Sequence, residues 1–127
     1  NPKQIQMTEI PIRKHYDLEE RTFIFARDCR SLVINLSRTI SNIEDGPQLV
    51  RSSGSIGANY IEANEAISKK DFFHRIKICR KESKESKYWL QLIVISQNET
   101  LEKERLRLIQ EANEFCKIFG SIVTKSE

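Results

Sequence analysis

Apolar residues recur at alternating three- and four-residue spacing through four stretches of the chain. That period belongs to helices with one buried face. In the first stretch the stripe is Leu18, Thr22, Phe25, Cys29, Leu32, Leu36 and Thr39, with Ala26, Val33 and Ile40 beside it. The second has Leu49, Ser53, Ile56, Tyr60, Ala63 and Ile67, flanked by Val50, Gly57 and Ile61. A third seam runs Phe72, Ile76, Cys79, Ser83, Ser86, Leu90 and Ile93. The fourth is Leu101, Arg105, Leu108, Ala112, Phe115, Phe119 and Ile122, with Ile109, Cys116 and Val123 alongside; Arg105 is expected to snorkel outward.

Boundary chemistry separates the four. Asp17 with Glu20 three residues on is an Asp-led capping box, so the first helix is predicted to begin there. Its end is placed at Asn42–Gly46, a turn-forming run, with Pro47 opening the second helix because a first-turn proline loses no hydrogen bond. A short turn at Ala66–Ser68 follows. Ser68 caps the third helix, with Asp71 three residues later. Asn98, Glu99 and Thr100 form the last turn, with Thr100 the candidate cap of the fourth helix.

Residues 1–16 contain Pro2 and Pro11 and no long period, so they read as an arm, with a loosely ordered terminus as the alternative. The expected fold is therefore all-α. An up-down-up-down antiparallel four-helix bundle spans 17–124, preceded by the N-terminal arm at 1–16. At 127 residues the chain suits one domain with one continuous core. No apolar run approaches the ~20 residues of a membrane span and no stretch reads as a signal peptide. Cytoplasm is the expected compartment.

Composition narrows the chemistry. Cys29, Cys79 and Cys116 are far apart and each falls on an apolar stripe, the pattern of buried structural thiols and not of disulfides or a zinc site. His15 and His74 are the only histidines. A di-iron bundle needs two Glu-x-x-His pairs, and the chain offers one Asp71-x-x-His74. Neither a metal nor a cofactor is expected. No histidine lies within helical reach of Ser52, Ser53 or Ser55, so a serine nucleophile would lack its base. Gly54 and Gly57 lack the spacing of a phosphate loop and follow no strand, which leaves them as positions of close helix approach. Glu62, Glu65, Glu82 and Glu85 read as salt-bridge partners of Arg51, Arg75 or a neighbouring subunit. The protein is expected not to be an enzyme.

Net charge is +3 overall, yet residues 68–97 hold eight cations against three acids, a net of +5. Lys70, Lys77, Arg80, Lys81, Lys84 and Lys87 project away from the core seam or onto its near flank. With Phe73 and Tyr88 on the same side, they form a candidate nucleic-acid-binding face; a solvated lysine face is the alternative. Between this face and the core lies a strip of Ile78, Trp89 and Leu92 with Glu82 and Glu85. It is a candidate oligomer interface, because an apolar strip outside the core asks for a covering surface.

The run Gln48–Ala63 (QLVRSSGSIGANYIEA) and the run Ser68–Ile93 (SKKDFFHRIKICRKESKESKYWLQLI) together resemble a known family. It is the small four-helix-bundle family linked to intervening sequences of bacterial 23S ribosomal RNA genes. Arg51-Ser52, Ser55-Ile56, Ala58-Asn59, Glu62-Ala63, Lys70-Asp71-Phe72, Lys81-Glu82 and Tyr88-Trp89-Leu90 bear the likeness. The resemblance implies a homopentameric ring. That family also includes the accessory variability protein of diversity-generating retroelements, a basic barrel that binds nucleic acid and a reverse transcriptase. The functional expectation is a non-enzymatic homo-oligomer binding RNA or DNA through the third helix. A protein–protein adaptor using the Ile78/Trp89/Leu92 strip is the alternative.

Overall fold

The structure is a computed structural model that describes residues 17–125. The arm expected at 1–16 lies outside the described residues. Four helices follow one another: α1 Leu18–Ile34, α2 Ile40–Asn64, α3 Lys69–Leu92 and α4 Glu99–Thr124. Each packs on the next and α4 returns to α1, closing the bundle. Short connections force successive helices antiparallel, which gives the up-down-up-down order. Among the described residues there is no strand, and no helix is long and apolar enough to cross a membrane.

The predicted stripes form the core. Leu18, Thr22, Phe25, Cys29 and Leu32 of α1 are buried, as are Leu49, Ile56 and Ala63 of α2. Ile76, Cys79, Ser83, Ser86 and Leu90 of α3 and Leu108, Ala112, Phe115 and Phe119 of α4 are buried with them. Large rings bridge α1 and α4, where Phe25 meets Phe115 edge to face at 5.3 Å. The side of α2 facing α3 is slim instead. Ser86 Oγ donates to Ser52 Oγ at 3.0 Å, and the Cys79 thiol reaches the Ile56 carbonyl at 3.4 Å. These hydroxyls fit a tight seam without leaving a buried polar group unpaired. Burial pushes the Cys29 and Cys79 thiols up to about 12, so both stay neutral, as expected of structural thiols. Cys116 is only half-buried.

The first connection differs from the expectation. α1 stops at Ile34, not near Asn42, and Pro47 lies inside α2 and not at its start. The cap is Thr39, whose side chain accepts from the Asn42 N–H at 3.1 Å. Asn42 is buried; its amide group donates to the carbonyls of Ser37 and Val94 and accepts from the Val94 N–H, tying the two turns at this end together. Pro47 removes one helical bond, that to the Ile43 carbonyl. Ile43 and Pro47 are both exposed, so water can reach that side of the helix. Gly46 is no turn residue. A Cβ there would stand 3.0 Å from Val33 Cγ1, so the glycine allows α1 to come close. Gly57 acts likewise, since its Cβ would sit 2.8 Å from Thr22 Oγ1.

Smaller corrections follow from the same geometry. Thr39, expected on the core stripe of the first helix, and Ile40, expected on the stripe beside it, are exposed at the start of α2, and Ile67 is 97% exposed in the α2–α3 turn. Asp17 occupies the cap of α1 without a capping hydrogen bond from its side chain. Ser68 caps α3 through the Asp71 N–H, as predicted, while Asn98 and not Thr100 caps α4. Arg105 does not snorkel outward; it turns back to donate to the Ile93 carbonyl at 2.6 Å, satisfying an orphaned acceptor at the end of α3.

Candidate nucleic-acid interface

α3 begins at its Ser68 cap and places its cations by helical period alone. At 100° per residue, Lys70, Lys77, Arg80, Lys81, Lys84 and Lys87 share an arc of about 120°. Five are exposed and Lys87 is half-buried. Among the described residues every ion pair uses an arginine, from the set Arg21, Arg27, Arg51, Arg105 and Arg107. None of the six α3 cations is paired within the described chain.

Packing divides the six. Arg80, Lys84 and Lys87 lean toward α4. The Arg80 side chain passes over Gly120, where a Cβ would stand 3.7 Å from its Nε. Lys84 and Lys87, with Tyr88 and Gln91, face Asn113 and Cys116 across a groove of about 400 Å³. Lys77 and Lys81 stand on the outer surface beside this groove. Lys70 lies in the first turn of α3, several turns away from Lys84, and does not join the cluster. Burial raises the pKa of the Cys116 thiol and outweighs the opposing pull of Lys84, Lys87 and Arg80, so the groove holds no thiolate.

The other flank of α3 is neutralised from within. The Arg51 guanidinium of α2 donates to the Glu85 carboxylate and stands 3.6 Å from Glu82. Glu82 is only 5% exposed. The Trp89 indole N–H reaches Glu85 at 3.4 Å. Partial desolvation pulls the Glu85 pKa up, but the Trp89 and Arg51 contacts outweigh it and hold the carboxyl below its ordinary range. The paired-acid reading of Glu82 and Glu85 is thus met by Arg51. Glu62 and Glu65 are exposed, and Arg75 donates to Asn59 Oδ1 at 3.0 Å.

The candidate interface strip takes a mixed position. Ile78 and Trp89 are half-buried, Trp89 packing against the core, and Glu82 is buried. Leu92 is 43% exposed. Among the described residues no group of three His, Cys, Asp or Glu side chains is placed to hold a metal ion.

α4's share of the site was missed from the sequence. Its α3-facing row is Asn113, Cys116 and Gly120, without an acid. The nearby acids Glu111 and Glu114 turn to Arg21 of α1, at 2.6 and 3.3 Å. The signal was available in the placement of Glu111 and Glu114 on the flank of α4 away from this row, but only once α1 was known to be its other neighbour.

No curated protein matches the chain. A crystal structure of a Bacteroides thetaiotaomicron protein of unknown function, from the S23 ribosomal protein family, is similar to it. The two share 27% identity with a TM-score of 0.68, over 83% of this chain and 96% of that one. The family described as 23S rRNA-intervening sequence protein matches residues 15–121. That match covers all of α1, α2 and α3 and most of α4, and with the shared fold it places this chain in the 23S rRNA-intervening sequence protein family.

Proposed function

We propose that the protein is a non-enzymatic homo-oligomer that binds RNA or DNA through the basic face of α3. One observation carries this reading: Lys70, Lys77, Arg80, Lys81, Lys84 and Lys87 have no ion-pair partner among the described residues, whereas the arginines named above do. Cations gathered on one face, as Lys77, Arg80, Lys81, Lys84 and Lys87 are, raise the local potential, and a polyanion gains by releasing its counterions there. A ring of identical subunits, the homopentamer that the family resemblance implies, would repeat the face and sum its field. The adaptor reading has less support, because Ile78 and Trp89 are half-buried in the single chain.

Binding to a structured RNA across a salt series tests the proposal. The log–log slope should lie at roughly −0.7 to −0.9 per phosphate contacted. Exchanging Lys77, Lys81 and Lys84 together for glutamate should make that slope shallower by about 2 to 3. No binding at low salt, or a triple variant that binds as before, would overturn it. Light scattering that finds a monomer at micromolar concentration would contradict the oligomer.

A further inference from the structure

We infer that the groove between α3 and α4 takes a single strand, with one base against the Tyr88 ring and the flanking phosphates on Arg80, Lys84 and Lys87; this rests on the nucleic-acid reading above. Tyr88 is 55% exposed amid the cations, so more than half of its surface is open to solvent. Its ring is held edge-on to Trp89, with centroids 5.1 Å apart. A base that stacks on a ring already held in place has less side-chain freedom to freeze.

The occupant follows from chemistry. Duplex bases are stacked on each other and have no free face for Tyr88. Single strands offer one at every residue, and stacking is indifferent to which base it is. Gln91 and Asn113 line the same groove, and each amide both donates and accepts, so they suit the edges of an unpaired base. Arg80, Lys84 and Lys87 repeat about once per helical turn, a row that a strand's backbone can follow. No carboxylate lines the groove, and Glu111 and Glu114 of α4 are engaged by Arg21 on the far side. Its volume of about 400 Å³ is at the lower end of the range of small-ligand clefts, roughly 300–1,000 Å³.

Fluorescence anisotropy with labelled oligo(U), oligo(dT) and a blunt hairpin duplex closed by a non-nucleotide linker, all on the full chain, tests this. Both single strands or one of them should bind more tightly than the hairpin, and their relative strength identifies RNA or DNA as the source. Tyr88→Ala should weaken single-strand binding by about 5- to 150-fold and leave hairpin binding unchanged, while Tyr88→Phe should retain both. Trp89 is the one tryptophan of the chain, so its fluorescence gives a readout on the unaltered protein. Single strands should quench it and the hairpin should not. Binding that falls equally for all three probes in Tyr88→Ala, or not at all, would overturn the single-strand assignment while leaving the broader reading intact. Binding to none of the probes by the unaltered protein would overturn both.

Discussion

On the α2 side of α3, Glu82 and Glu85 meet Arg51, and Trp89 donates to Glu85. On the α4 side, Arg80, Lys84 and Lys87 meet Asn113, Cys116 and Gly120, none of which carries a countercharge. The difference lies in burial. Glu82 is almost wholly removed from water, and a buried carboxylate without a cation costs several kcal/mol, so the fold supplies one. Arg80 and Lys84 keep their hydration and need no partner to be stable. One flank of the helix therefore uses charge to hold the bundle, and the other leaves charge free for something outside it.

Removing the cation from the neutralised flank should give the largest effect on stability. Arg51→Ala leaves Glu82 and Glu85 side by side, and urea unfolding should show a loss of about 2 kcal/mol. This is less than the roughly 3–5 kcal/mol of a fully buried pair, because Arg51 is more than half exposed. Nucleic-acid affinity should hardly change in the same variant. A large loss of affinity with intact stability would break the division between the flanks.

A smaller effect concerns pH. Because the Glu85 carboxyl is held below its ordinary range, the folded state binds its proton less readily than the unfolded chain does. Its contribution is complete above the ordinary glutamate range and is lost as pH falls through the folded-state value. Glu85→Gln should therefore lower stability at neutral pH and flatten the acid side of the pH–stability curve, measured by thermal unfolding. An unchanged acid limb would remove Glu85 from the account.

The smallest change in stability is expected on the open flank. Lys84→Ala should alter unfolding free energy by less than about 0.5 kcal/mol. It should make the salt slope of nucleic-acid binding shallower by about 1. Together, Arg51→Ala and Lys84→Ala form opposite halves of one test.

Much of this was visible in the residue order. The stripes of α3 and of most of α4 became core because packing follows helical period once one face is apolar. Ser68 capped α3 as its spacing with Asp71 implied. The first turn lies elsewhere than its residues suggest, because Gly46 and Pro47 look like turn residues. Both sit inside α2, one against Val33 and the other on the exposed side. Local propensity cannot register that Asn42 joins this turn to Val94, 52 residues away in the chain, and so holds the chain in a different register. Gly54 and Gly57, expected at a close approach, face Arg30 and Thr22 of α1.

The sequence by itself determined four amphipathic helices, their antiparallel order and a one-sided row of cations on α3, because each of these is a property of spacing within a helix. Only the tertiary structure decided which of α3's charges are neutralised. Arg51 reaches Glu85 across 34 residues, and Arg21 draws Glu111 away across 90. Charge pairing depends on distance between helices, which no period within one helix contains. That is why the groove beside Tyr88, open to an anion and lined from two helices, emerges only when α4 is set against α3.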